Sequence, residues 1–442
     1  MLGIVVSRAD SASVHVGEHL LDLADWSAIE DGSRPDAEGG GTVYRLPDVE
    51  LREFGALHLD LDRADEAFDD PDLLVFASRH SGDTGPLLTA HHTGNFGPAT
   101  YGGRDGAFAR ACPNTHARVL DAFREHAPEG YEVGMECTHH GPTAIDVPSM
   151  FVELGSDEGQ WTDPDGARAV ARSILDLRGV APDRERTLVG FGGGHYAPRF
   201  ERIVRKTDWA VGHLAADWAL EAMGDPGESR GVIRRAIERS GATRALVDGD
   251  RPALERVVEG LGCRVVSETW ARETTGVPLD LVERLEAEVA TVEAGLRFGD
   301  RTDVDAAETE VVDLPDALLA AANGIDREGV LAAVRARSAA VATEEGGTLL
   351  AGRAVVPAPA DREALIEVLI DALRGKYDAV EREGGEVIAR ETAFDPGLAR
   401  EAGVPEGPKF GRLASGRAVT VDGETVDPSA VRRERERRFP LA

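Results

Sequence analysis

Lysine is almost missing from this 442-residue sequence: only Lys206, Lys376 and Lys409 carry it, and arginine supplies nearly all the positive charge. Cysteine is as scarce. Cys112, Cys137 and Cys263 form no Cys-x-x-Cys pair, which excludes a disulfide framework and leaves them as small buried apolar groups. No apolar run is long enough to span a bilayer, and residues 1–10 lack a basic stretch followed by an apolar one, so a cytoplasmic protein is expected. Histidine is absent beyond His213, all twelve lying between His15 and His213. The chemistry therefore belongs to the N-terminal part. Several familiar motifs are also lacking: no Gly-x-Gly-x-x-Gly, no Walker loop, no Gly-x-Ser-x-Gly elbow and no His-Glu-x-x-His. Dinucleotide, nucleotide-triphosphate, serine-hydrolase and zincin chemistries fall away with them.

Acid is plentiful. Eighty Asp and Glu against 49 Lys and Arg give a net charge of −31, shared by both parts of the chain. Such a surface suits concentrated salt, where self-repulsion is screened over about 3 Å at 1 M. Because solvent salt accounts for the composition, the acidity does not argue against a nucleic-acid partner.

At this length two domains are expected. Strand patterns at 3–7, 73–77, 87–90, 131–137, 187–191, 244–247 and 264–267 alternate with helix patterns at 114–126, 163–177, 228–239 and 252–260. Residues 31–41, rich in Asp, Gly and Pro, read as a surface loop. This ordering predicts an α/β domain with a largely parallel central sheet flanked by helices over residues 1–275. A break near 274–278 leads into residues 279–442, a smaller α+β domain with helices at 281–296, 315–322, 327–341 and 362–383, strand-like 418–426, and an arginine-rich helix end at 432–438. Without histidine or cysteine of its own beyond residue 278, that part is expected to be accessory.

Two segments carry the densest chemistry. Glu136-Cys137-Thr138-His139-His140-Gly141-Pro142 leaves the carboxyl end of a predicted strand, where open α/β sheets bind ligands, and its Gly-Pro turn bends both histidines toward one site. Gly192-Gly193-Gly194-His195-Tyr196-Ala197-Pro198 follows another strand, its glycines offering amides for an oxyanion nest. A third cluster holds His80, His91, His92 and Asn95; His213 is weaker. Several neutral imidazoles beside a carboxylate suit a zinc ion with an open position, which lowers the pKa of bound water to about 7. A metal-free site, with histidine as general base, Glu136 orienting it and the glycine loop holding the oxyanion, fits the same residues.

At Thr89-Ala90-His91-His92-Thr93-Gly94-Asn95, at 136–143 and at 192–198 the sequence resembles the archaeal and plant type of D-aminoacyl-tRNA deacylase. The resemblance implies a zinc-dependent esterase that frees D-amino acids from tRNA, on a fold similar to peptidyl-tRNA hydrolases and nucleoside phosphorylases. It leaves peptidyl-tRNA or another small ester or amide as a rival substrate, and a non-catalytic metal- or nucleoside-binding protein as a rival class. The assignment is then Glu136, His140 and His195 as catalytic; His91, His139, His140 and His195 as zinc ligands; and Asn95, Gly192, Gly193, Gly194 and Tyr196 as substrate-binding. No obligate protein partner is implied, and a monomer or small homo-oligomer is expected. The family core is expected to end near residue 275, leaving 279–442 unmatched. Within it, 403–413 with Asp422-Gly423 is similar to a segment of the metallo-β-lactamase-type tRNA 3′-end processing endonuclease, but that enzyme's His-x-His-x-Asp-His is absent.

Overall fold

A computed structural model describes residues 1–441. The chain divides into two compact units, Met1–Thr275 and Gly276–Ala442. The first contains two sheets where the sequence predicts one. The larger is eight-stranded and mixed, in the order Ser27–Asp31, Gly41–Leu46, Val49–Phe54, Leu2–Ser7, Leu73–Arg79, Ser149–Gly155, Leu87–His91, Glu132–Met135. Leu2–Ser7 pairs in parallel with Val49–Phe54 and Leu73–Arg79, but Leu87–His91 runs antiparallel to Ser149–Gly155. The smaller sheet, Ala210–Ala215, Thr187–Phe191, Arg244–Val247 and Arg264–Val265, is parallel throughout.

The expected α/β unit with a largely parallel sheet is present, as a mixed sheet that is mostly parallel beside a second one that is parallel throughout. The physical reason for the mixed order lies in strands that the periodicity underplays. Gly41–Leu46 and Val49–Phe54 form a hairpin around Asp48, whose φ of 61° opens the turn, and they extend the sheet past the loop predicted at 31–41. Ser149–Gly155 and Ala210–Ala215 are wholly buried strands that the predicted set lacks. Helices fall where predicted: Pro113–His126, Pro164–Leu175, Arg230–Ser240 and Pro252–Glu259. Asp163 caps the second by accepting from Asp165 N, with Pro164 in the first turn.

The second unit is built on antiparallel sheets. Leu296–Phe298, Ala340–Glu344, Leu349–Val356 and Glu310–Asp313 form one; Ala379–Glu383, Glu386–Phe394 and Arg432–Pro440 form another. The helix predicted over 362–383 stops at Arg374, because Gly384 and Gly385, at φ 57° and 95°, turn Ala379–Glu383 into one arm of a hairpin. The helix predicted over 327–341 gives way to the buried strand Ala340–Glu344, and 315–322 joins it in Asp316–Arg335, bent at Asp326. Residues 432–438, predicted as a helix end, are a strand anchored by buried Phe439.

Candidate active site

Glu136 follows the strand Glu132–Met135, and its amide donates to Ala90 O at 3.1 Å. The next residues leave this sheet and join the other one. Cys137 N donates to His195 O and Thr138 N to Leu214 O, each at 2.8 Å. Thr138 Oγ1 in turn accepts from Leu214 N at 3.0 Å. His140 then takes φ 47°, the left-handed turn that swings the double histidine back toward one point. His195 arrives from the opposite side, after the strand Thr187–Phe191. Its Nε2 lies 2.6 Å from Glu136 Oε2; a carboxylate only accepts, so Nε2 carries the proton.

Three other imidazoles share one arrangement. His91 Nδ1 meets His92 O at 3.1 Å, His139 Nδ1 meets Cys137 O at 2.9 Å, and His140 Nδ1 meets Gly141 O at 2.7 Å. Each carbonyl fixes the proton on Nδ1 and leaves Nε2 with a lone pair, the state in which histidine binds a metal. Their rings lie 4.1 to 4.7 Å apart, and a ligand atom from each falls within 4.8 Å of the others. The buried Nε2 of His91 has no hydrogen-bond partner among the described residues. These residues fit a zinc ion. His195, predicted as a fourth ligand, bonds Glu136 through Nε2, its remaining nitrogen lies 3.5 Å from Cys137 Sγ, and with Cys137 and His139 it forms a second group whose ligand atoms fall within 4.8 Å of one another.

Two residues given no role from the sequence, Glu153, which it did not single out, and His80, named only within the third cluster, complete the site. Glu153, in the middle of the buried strand Ser149–Gly155, lies 3.7 Å from His91 Nε2. His80, at the end of Leu73–Arg79, sits 3.2 Å from Glu136 Oε1 and 3.6 Å from Glu153 Oε2. Burial opposes charge on His80, but the two carboxylates override it and raise its pKa to about 10. For Glu136 and Glu153 burial likewise opposes ionisation, and the histidines around them win: both carboxyls are held below the usual range. Burial and the neighbouring imidazoles push His139 well down and His140 to about 3. Burial opposes charge on His91 as well, but Glu153 and Glu136 override it and raise its pKa, so a cation bound there would take the place of the His91 proton beside the two carboxylates.

A cavity of about 460 Å³ opens on this cluster, lined by Asp10, Arg79, Tyr101, Phe151 and the site residues His80, Glu136, His139, His140, Glu153 and His195. Tyr196 OH hydrogen-bonds His80 Nε2 at 3.1 Å. The predicted roles of the glycines and of Asn95 are corrected. Gly192 N donates to Ala215 O at 2.7 Å and Gly193 N to Asp217 Oδ1 at 2.8 Å, so neither amide is available to an oxyanion. A side chain on Gly192 would meet Asp248 O at 2.4 Å, so that glycine serves close packing, whereas a Cβ on Gly194 would meet nothing within 4 Å. Asn95 donates to Gly102 O at 3.0 Å and Arg104 O at 3.4 Å, bracing the loop that carries Tyr101. His92, His116 and His213 form a separate buried group, each bonded to a carbonyl, of Gly212, Ala90 and Ala109 respectively.

An ionised carboxylate paired to an imidazole, beside three imidazoles ready for a metal and facing a cavity, is the equipment of a hydrolytic enzyme. The chain belongs to the D-aminoacyl-tRNA deacylase family. The family profile for D-aminoacyl-tRNA deacylase matches residues 67–266. The D-aminoacyl-tRNA deacylase of Haloarcula marismortui is 56% identical over 100% of both chains. That of Natronomonas pharaonis is 58% identical over 99% of this chain and 100% of its own. The Methanococcoides burtonii protein is 33% identical over 99% of this chain. A crystal structure of a conserved protein of unknown function, AF0625, has 29% identity and a TM-score of 0.56, covering 62% of this chain and 98% of that one. These matches correct the expectation that residues 279–442 stand outside the family: the relatives share them. Among the described residues, no helix is long and apolar enough to cross a membrane.

Proposed function

We propose that this chain hydrolyses the ester joining a D-amino acid to the terminal ribose of tRNA, releasing the free amino acid and tRNA in the cytoplasm. The observation that carries the reading is the Glu136–His195 pair at 2.6 Å beside three imidazoles whose Nδ1 protons are all tied to backbone carbonyls. His91, His139 and His140 would hold zinc, which when bound supplies Lewis acidity and a water acidic enough to attack near neutral pH. Glu153 and Glu136 supply two buried carboxylates beside that position, which a cation would meet in place of the His91 proton. His195, its side chain 31% exposed, is the imidazole that substrate reaches. Its Nδ1 takes the proton of the attacking water and passes it to the departing ribose oxygen, while Glu136 keeps the Nε2 proton hydrogen-bonded and stabilises the imidazolium between the two steps. His80, held as a cation between the two carboxylates, orients Tyr196 at the rim.

The test is release of D-Tyr from D-Tyr-tRNA in high salt, run beside L-Tyr-tRNA and N-acetyl-peptidyl-tRNA, on protein as purified, chelated, and chelated then given zinc. Cleavage of the D substrate alone is expected, lost on chelation and restored by zinc. Cleavage of the peptidyl substrate instead would overturn the substrate. Full activity after chelation with no bound metal would overturn zinc and leave the Glu136–His195 pair in place.

A further inference from the structure

Ile29, Tyr101 and Trp218 are the large hydrophobic side chains left exposed among the described residues, and two of the three lie by the catalytic residues: Tyr101 in the cavity lining, Trp218 beside the ring of His195. Tyr101, 68% exposed, lines the cavity directly. Trp218, 49% exposed, lies with its ring nearly parallel to that of His195, at 24° and 6.5 Å between centroids. Exposing an indole to water costs the burial that most tryptophans obtain, so two such groups beside one catalytic cluster call for a ligand.

Both rings are tied to the catalytic loops and not merely near them. Tyr101 O accepts from Gly141 N at 2.9 Å, directly after His140. The loop that carries Tyr101 is braced by Asn95 and by Arg104 N on Thr143 Oγ1 at 3.0 Å. Trp218 opens the helix Asp217–Met223, whose first residue Asp217 accepts from Gly193 N in the His195 loop. A group resting on either ring is therefore indexed to the reacting centre.

We propose that Tyr101 and Trp218 are stacking platforms for the unpaired bases at the 3′ end of the RNA substrate. The inference rests on the reading above that the scissile ester is carried by a nucleotide. Every base offers a π face, so stacking on exposed aromatics holds a single-stranded end without reading its sequence, as an enzyme acting on many tRNAs requires. The indole, rigid and amphipathic, presents its open face to that base while His195 covers the other.

The experiment compares D-Tyr-tRNA with D-tyrosine methyl ester, which has no base, in high salt. Trp218→Ala and Tyr101→Ala each raise KM for the tRNA substrate by roughly 5- to 100-fold, leave its kcat within about twofold, and leave both parameters for the methyl ester unchanged. Trp218→Phe and Tyr101→Phe keep the wild-type KM, and Ile29→Ala, on a distant exposed site, changes nothing. Independently of turnover, the trinucleotide CCA quenches tryptophan emission of the wild type and fails to do so in Trp218→Phe. Equal losses on the tRNA and the methyl ester would make Trp218 a support for His195 and overturn the proposal, as would an unchanged KM in both alanine variants or quenching that survives Trp218→Phe. Quenching without any cleavage of D-Tyr-tRNA by the wild type would keep the platforms and overturn the deacylase reading instead.

Discussion

His58, His116 and His213 are sealed in the first unit, and burial lowers the pKa of each from 6.5 to about 4. In the unfolded chain the same groups take up protons near pH 6.5, so their contribution to stability is present above that value and is lost as pH falls toward 4. His80, raised to about 10, has the opposite sign: its contribution is complete below pH 6.5 and is lost as pH rises through 10. His92, His139 and His140 are lowered as well and His91 is raised, so the histidines lost on the acid side outnumber those on the alkaline side, and Tm at fixed salt peaks near pH 6.5 and falls more steeply below it. A calorimetric Tm that is flat from pH 7 to pH 5 would contradict this. At this scale the sequence revealed Glu136, His139, His140 and His195 because they cluster in short motifs at predicted strand ends. Glu153 stayed hidden since it is one charged residue inside the apolar run of Ser149–Gly155, and only the neighbouring strand brings His91 to it. Asn95 misled in the other direction: an amide between glycines looks available until both its donors are found on the adjoining loop.

Elements with a strong period of their own were legible, and those defined by their neighbours were not. The amphipathic helices Pro164–Leu175 and Arg230–Ser240 announce themselves. A strand such as Arg432–Pro440 depends on a pairing partner far along the chain, Glu386–Phe394. The triple-glycine loop is instructive because its sequence invites a nest and its packing uses a different property. Gly192, at φ 98° with Asp248 O 2.4 Å from any added Cβ, is irreplaceable, whereas Gly194 has open space around it. Gly192→Ala is expected to cost about 2 kcal/mol or more through strain and clash, and Gly194→Ala within about 0.5 kcal/mol of nothing. Thermal unfolding of both variants decides it; equal Tm values would show that the loop tolerates a Cβ throughout.

For the whole molecule, a charge of −31 with three lysines sets the working solvent. Raising KCl from about 0.1 M to about 1 M shortens the screening length from about 10 Å to about 3 Å, and Tm is expected to climb by many degrees over that range. A Tm independent of KCl would show that the carboxylates repel one another too weakly to matter. The boundary near residue 275 shows in composition because every histidine precedes it, yet the relatives' full-length match shows that absence of histidine marks a division of labour inside the family and not its edge. Glu136 and His195 belong to different sheets, held in register by the Cys137 and Thr138 amides. The proton-handling couple thus straddles a joint, and a chain whose halves slip by an ångström keeps nearly all its secondary structure while turning over nothing. Loss of turnover is the earliest alarm of damage to the fold.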